Sequence, residues 1–294
     1  MVHQAIIEAG APAAGRIARA LDAAEEPLAL SVSHFELGNG QFEISALYGY
    51  PPARNALATL IDVAAEGEPV TLRIEEVSDQ DWVTVSQGKR GPVRAGRFFV
   101  HGSHDRARAP RHRFVIEIDA GQAFGTAHHA STRGCLLAID DELKRRRPRT
   151  IVDIGTGTGV LAIAAANALK RSVLASDNDP IAVAVAADNA GKNCARPTVR
   201  VIEAPGFAHP RLRRATADLI LANLVERPLR ALAPEFARHM TPGGVAILSG
   251  LTASQAGGVA ACYCTHGFAM KTRIILDGWA TLVLTRRSAR ALCD

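Results

Sequence analysis

No run of about 18 uninterrupted apolar residues occurs in the 294-residue sequence, which argues against a membrane-spanning helix. The first residues, Met1-Val2-His3-Gln4, put no basic cluster ahead of an apolar stretch, so no secretory signal is expected. Cysteine is scarce: there are five, an odd number, and Cys262 and Cys264 are separated by one residue rather than by a metal-type spacing. A disulfide framework is therefore not expected, and a reduced, cytoplasmic chain is. Aromatics make up only 5% of the residues, yet hydrophobic residues reach 48% and charged ones 21%. That balance excludes a disordered chain and leaves enough apolar surface for a sizeable core. Lysine is rare as well, five of the 34 basic residues, so positive charge rests on arginine.

What is present is unevenly distributed. Residues 1–100 hold 8 basic against 13 acidic residues, whereas residues 101–294 hold 26 against 16. The length suits about two domains, and the opposite signs suggest two parts with different partners. Between them, His101-Gly102-Ser103-His104-Asp105-Arg106-Ala107-Arg108-Ala109-Pro110 is polar, lacks periodicity and ends in proline, so it reads as a connector. The expected division is a domain over 1–100, a linker over 101–122 and a second domain over 123–294.

In the first part the apolar spacing alternates between strand and helix periods. Strands are expected over 4–8, 28–35, 41–47 and 70–77, and helices over 12–24 and 52–65. Gly38-Asn39-Gly40 marks a hairpin. The order β-α-β-β-α-β is that of a ferredoxin-like α+β domain. No nucleophile, base or metal-ligand set gathers in it, so its task is binding. The second part alternates more plainly: strands over 150–154, 172–176, 198–202, 218–222 and 245–249, with helices over 160–169, 181–189, 228–239 and 253–266. A closing hairpin turns at Asp277-Gly278 and is expected to supply an antiparallel edge. Strands alternating with crossover helices give an α/β, Rossmann-like, mostly parallel sheet.

Chemistry begins at the end of the first of these strands, Asp153-Ile154-Gly155-Thr156-Gly157-Thr158-Gly159. Glycines allow a turn closed to other residues and let the backbone approach a ligand, while the following helix offers free N–H groups. Asp177 lies 24 residues after Asp153 at the end of the next strand, where a carboxylate can accept both hydroxyls of a ribose. A dinucleotide fingerprint would place its third glycine at 160, which is Val160, with glycine at Gly159 instead. After the fourth strand, Asn223 can accept a hydrogen bond from an amino group and donate through its own amide. Just before the first strand, Ala123-Phe124-Gly125-Thr126-Ala127-His128-His129-Ala130-Ser131-Thr132 precedes an apolar helix over 135–143, which Thr132 or Ser131 would cap. The two histidines have no acidic or cysteine partner at ligand spacing, so no metal site is expected.

An acid followed by G-x-G-x-G is the pattern of S-adenosylmethionine methyltransferases, which the second part resembles in strand order too. Taken together, the chain resembles one family, the methyltransferases of large-subunit ribosomal protein L11 (the PrmA type), over most of its length. The family's Ala-Phe-Gly-Thr-Gly-x-His-x-Thr-Thr block matches from Ala123 to Thr132. Its cofactor turn matches at Asp153, Gly155, Gly157 and Gly159, and its ribose acid at Asp177. Its Asn-Leu/Ile-x-x-x-Pro-Leu motif matches at Asn223, Leu224, Pro228 and Leu229, with further matches at Pro242-Gly243-Gly244 and Ser249-Gly250. Asp81-Trp82-Val83 and the stretch 93–105 are similar to the family's interdomain region. Ala127 and Ser131 depart from it, standing where the family has Gly and Thr. Alanine restricts positive φ in that loop, while serine keeps the hydroxyl.

The resemblance implies a seven-stranded sheet and transfer of methyl groups from S-adenosylmethionine to amino groups of ribosomal protein L11. It further implies that Thr132, Gly155, Gly157, Gly159, Asp177 and Asn223 hold the cofactor, that Asn223 serves catalysis, and that the N-terminal domain holds the protein substrate. No stable nucleic-acid partner and no membrane are expected. The alternatives are a methyltransferase acting on RNA, prompted by Lys144-Arg145-Arg146-Arg147, or on another small substrate, and a cofactor-binding module without activity. Finally, Glu66, Glu68, Glu75, Glu76, Asp79 and Asp81 fall within 16 residues and are expected to attract a basic protein substrate.

Overall fold

The structure, a computed structural model, describes residues 2–24, 26–29, 31–38, 40–77, 91–119 and 129–288. They divide into two compact units, Met1–Ser86 and Gln87–Asp294. The first contains β1 (Val2–Gly10), α1 (Ala11–Ala23), β2 (Ser31–Gly38), β3 (Gln41–Tyr48), α2 (Arg54–Ala65) and β4 (Thr71–Val77). Its four strands lie in the order β2-β3-β1-β4, every pair antiparallel, the ferredoxin-like arrangement expected from sequence. Strand alternation sends Ala5, Ile7 and Ala9 of β1 and Ile44, Ala46 and Tyr48 of β3 into a core with Ile17 and Leu21 of α1 and Leu57 and Ile61 of α2. Arg16 closes the C-terminal end of α2. Its guanidinium donates to the carbonyls of Ala64 and Ala65 at 2.9 and 3.0 Å, groups that the helix itself leaves unpaired.

The acidic run does not form one patch here. Glu66 and Glu68 both lie on Arg16, at 3.6 and 3.0 Å, while Glu75 and Glu76 are successive on β4 and so face opposite sides of the sheet. Asp79 and Asp81 lie outside the described residues, as does Asp81-Trp82-Val83.

The second unit begins earlier than composition suggests. β5 (Val93–Ala95), β6 (Phe98–His101) and β7 (Val115–Glu117) form a small sheet in the order β5-β6-β7, with a 3-10 turn at Ser103–Arg108. Ala95, Phe98, Val100, Ile116 and Ile118 share a core with Leu136 and Ile139 of α3 (Ala130–Arg145). Between β5 and β6, Arg97 pairs with Asp140, which is 1% exposed and also meets Lys144 at 2.9 Å. The described part of the expected 101–122 linker therefore belongs to the second unit, and the division falls between Ser86 and Gln87 rather than at residue 100. Strands of three or four residues are too short to show a period, which is why the segment reads as a connector.

The large sheet is built from β8 (Ile151–Ile154), β9 (Val173–Asp177), β10 (Val199–Glu203), β11 (Ala217–Asn223), β12 (Met240–Thr252), β13 (Phe268–Leu276) and β14 (Trp279–Arg286). Between them run α4 (Val160–Leu169), α5 (Pro180–Lys192), α6 (Pro210–Arg213), α7 (Glu226–His239) and α8 (Ala256–Thr265). The order is β10-β9-β8-β11-β12-β14-β13. β14 is antiparallel to both neighbours, so the closing hairpin supplies the expected antiparallel edge, with β14 between β12 and β13 and β13 outermost. Both faces are covered. Ile151, Leu219, Leu221 and Ile247 pack toward α3 and α4, and their neighbours Val152, Ile220, Ala222 and Leu248 toward α7 and α8. β12 starts at Met240 and runs through Pro242-Gly243-Gly244, which reads as a turn in the sequence. A register jump from Ala217↔Met240 to Leu219↔Val245, with Gly243 at φ 74°, absorbs the extra residues as a bulge.

Phe236 is fully buried on the α7 side, edge-on to Phe207 and Tyr263 at 5.8 and 5.5 Å between ring centroids. Phe236→Ala should destabilise the second unit by about 3–5 kcal/mol. Urea unfolding followed by Trp279 fluorescence in a Trp82→Phe background should show a lower midpoint for that unit, and calorimetry an unchanged transition for the first.

Candidate active site at the carboxyl edge of the large sheet

The strand order reverses direction between β8 and β11, and the ligand crevice of an open α/β sheet lies at that point, beyond the carboxyl ends. Ala222 pairs with Ile154, and Asn223 with Ser249, so Asn223 and Gly155 leave adjacent strands side by side. At Gly155 the backbone takes φ 69°, and a Cβ there would collide with the Leu224 side chain. Glycine is thus required both for conformation and for space. The amides of Gly155 and Thr156 donate to the Ser176 carbonyl at 2.8 and 2.9 Å, which folds the turn back over β9. Gly157 and Gly159 also have positive φ, 54° and 81°, and Gly159 caps α4.

Asp177 ends β9 and is held by this turn. The Gly157 amide donates to Oδ2 at 2.8 Å and the Asp179 amide to Oδ1 at 3.1 Å. Each carboxylate oxygen keeps a further lone pair, so Asp177 can still accept from two vicinal hydroxyls. Asp179 in turn caps α5, accepting from the Ile181 amide at 2.8 Å. Asp153 is different: it is buried, accepts from the Thr156 hydroxyl at 2.6 Å, and its Oδ1 has no partner among the described residues. Burial pushes its carboxyl up to about 7, against the opposing pull of the Thr156 hydroxyl.

Thr132 and Asn223 meet although 91 residues separate them. Asn223 Nδ2 donates to Thr132 Oγ1 at 3.1 Å, which leaves Asn223 Oδ1 buried and without a hydrogen-bond donor among the described residues. α3 starts at Ala130, five residues before its apolar stripe, so Ser131 and Thr132 sit inside its first turn and neither caps it. The cap is His129, whose Nδ1 accepts from the Ser131 amide at 3.4 Å and lies 2.7 Å from its hydroxyl. The ring stands edge-on to Trp279, 4.5 Å between centroids. Ser249 adds a buried hydroxyl pair, donating to the Ala280 carbonyl at 2.8 Å and lying 2.9 Å from Thr281 Oγ1. Neither the His129–Trp279 contact nor the Ser249–Thr281 pair leaves a sequence signal, since each joins residues far apart in the chain. Residues 123–128 of the glycine-rich block, Ala127 included, lie outside the described residues.

The structure thus brings Gly155, Gly157, Gly159 and Asp177 into one turn and sets Thr132 and Asn223 beside it. Among the described residues no group of three His, Cys, Asp or Glu is placed to hold a metal ion. Residues 2–287 match the family described as ribosomal protein L11 methyltransferase (PrmA). The ribosomal protein L11 methyltransferase of Bradyrhizobium diazoefficiens is 45% identical over 289 residues, 97% of this chain and 97% of its own. That of Brucella abortus strain S19 is 47% identical over 212 residues, 72% of this chain and 74% of its own. The crystal structure of a ribosomal protein L11 methylase from Lactobacillus delbrueckii subsp. bulgaricus superposes with a TM-score of 0.60 at 25% identity, covering 68% of this chain and all of the other.

Asp153 gives a test of the turn's electrostatics. The folded protein keeps its proton to about pH 7, whereas the unfolded chain releases it near about 4. Between these values the folded state binds the extra proton, so this group lowers stability as pH rises through the window. Asp153→Asn should remove that slope. The variant's unfolding free energy should gain on the parent's from pH 4.5 to 7 and stay level above. Urea titrations at pH 4.5, 6 and 7.5 measure it, and a pH-independent difference would refute the assignment.

Proposed function

The chain belongs to the ribosomal protein L11 methyltransferase family and is an S-adenosylmethionine-dependent methyltransferase; we propose that it methylates amino groups of ribosomal protein L11, lysine side chains, the N-terminal amine or both. The observation that carries this reading is the Asn223 carbonyl oxygen, buried at the carboxyl edge and unpartnered among the described residues while its amide is fixed by Thr132. An acceptor in that condition is costly to leave unmet and suits an incoming N–H donor.

The residues fit the cofactor. The positive-φ glycines bring main chain close, Asp177 retains acceptor capacity for a ribose, and Thr132 and Asn223 border the same edge. When bound, S-adenosylmethionine supplies an electrophilic methyl group on a sulfonium. The chain's own residues position and exclude water. An amine with a reference pKa near 10.4 must first lose a proton. The Asn223 oxygen then accepts one remaining N–H and orients the nitrogen lone pair, while Thr132 keeps the Asn amide from turning.

The first unit is the substrate-holding part. It carries 13 acidic against 4 basic residues over 1–86, whereas 87–294 carry 16 against 30, so the first unit attracts a basic protein. The basic run over 144–147, which prompted the RNA alternative, is mostly engaged within the chain. Lys144 is paired with Asp140 at 2.9 Å, Arg145 with Asp141 at 3.2 Å, and Arg146 donates to the carbonyls of Gly243 and Asp218 at 2.8 and 3.0 Å. Three of the four charges are thus engaged at the helix end, and Arg147 is exposed. We place the enzyme in the cytoplasm with its substrate, without stable nucleic-acid binding. Among the described residues no helix is long and apolar enough to cross a membrane.

Tritium transfer from labelled cofactor into nuclease-treated L11 tests the substrate, and an unlabelled product would overturn it. Asp177→Ala should weaken cofactor binding by roughly 10- to 100-fold in calorimetry, the scale of hydrogen bonds to a charged group. Asn223→Ala should lower kcat by about tenfold or more with a smaller change in cofactor affinity. For steering, Glu75 and Glu76 are the acids to reverse, since Glu66 and Glu68 hold Arg16. Glu75→Lys with Glu76→Lys should lower kcat/KM for L11 severalfold at low salt. The loss should shrink as the Debye length falls to about 8 Å at physiological ionic strength. Salt-independent kinetics in the parent would refute steering.

A further inference from the structure

A cleft of about 580 Å³ opens between the start of α7 and the turn from β12 to α8, lined by Val225, Glu226, Arg227, Arg230 and Gln255. Val225, two residues beyond Asn223 in the chain, is 64% exposed. The polar groups divide unevenly. The charge of Glu226 is offset by Arg230, whose Nη1 donates to its Oε1 at 3.0 Å. The Gln255 carbonyl oxygen is occupied by the Thr252 amide at 2.9 Å, which leaves its NH2 group as a donor. Arg227 is exposed and makes no hydrogen bond or ion pair with any described residue. The cleft's uncompensated charge is therefore one guanidinium.

We infer that this cleft receives the polypeptide segment carrying the accepting amine, and that Arg227 is a specificity-determining residue that takes a carboxylate side chain a few residues from that amine, with Val225 against the same segment. The inference rests on the protein-methyltransferase reading above. It has a chemical logic beyond affinity. A carboxylate close to an amine favours the charged, unreactive ammonium form. Pairing that carboxylate with a guanidinium offsets the effect and lets the amine release its proton to solvent before a remaining N–H meets the Asn223 oxygen. Arginine suits the task because its planar fork meets both carboxylate oxygens and stays charged at any working pH.

The test uses the full-length enzyme and full-length L11 with its methylated amines mapped by mass spectrometry. Glu or Gln is placed in turn at each of the four positions on either side of a methylated amine. For the parent enzyme, at least one position should give a Glu-over-Gln preference in kcat/KM of about fivefold, the upper range for an exposed ion pair. Arg227→Gln should reduce that preference to within about twofold and shift the rise of kcat/KM for the Glu form to higher pH. Arg227→Glu should invert it, with Lys favoured over Glu at the same position. Cofactor titration of each variant reports whether the site is intact. A parent with no preference at any position, or a preference that survives Arg227→Gln in a variant that binds cofactor normally, overturns the inference. If the parent methylates no form of L11, the substrate reading itself falls and takes this inference with it.

Discussion

Close backbone approach around Leu224 is the constraint on which the rest of the site depends. At Gly250, φ 85°, a Cβ would come within 2.4 to 2.9 Å of the Leu224 main-chain oxygen, carbon and nitrogen. The Leu224 side chain in turn fills the space beside Gly155, and its amide donates to the Ser249 carbonyl at 3.0 Å. One residue is thus held between the ends of β8 and β12, and Asn223, immediately before it, can take only one position. Glycine at 155 and 250 is a packing requirement as much as a conformational one.

The layer above Asn223 obeys a similar logic with hydroxyls. α3 lies close enough to β14 that a Cβ on Gly134 would collide with Thr281, and Thr281 shares its hydrogen with Ser249. His129 fixes the first turn of α3 as an acceptor, which places the Thr132 hydroxyl under the Asn223 amide. In a buried setting such a chain of donors and acceptors defines orientation, because any other rotamer leaves a polar group unpaired. The Asn223 oxygen is the member left over, and that is what makes it chemically available.

Charge is sorted on two scales. Within the site, Asp153 and Asp177 leave adjacent strands, and burial separates them. Asp153 sits in apolar surroundings that favour its proton, whereas Asp177 receives two backbone amides at the edge. Across the chain, the acidic first unit and the basic second unit differ more sharply at the structural division than at residue 100, since the four basic residues over 87–100 belong to the second.

The sequence by itself determined the two-part organisation, the order of strands and helices, the glycine turn and the acid at the end of the next strand. All of these rest on local signals: a period of two or 3.6, a glycine where φ must be positive, a carboxylate at a strand end. Tertiary structure alone decided where the units divide, because the 93–119 strands are too short to show a period and are stabilised by packing on α3. It also decided that β14 enters the sheet between β12 and β13, that the acids 66 and 68 serve Arg16, and that Ser131 and Thr132 lie within a helix capped by His129. Above all, it brought Thr132 to Asn223 across 91 residues. Such contacts depend on which strands are neighbours and how closely their backbones approach, and no local pattern carries that information.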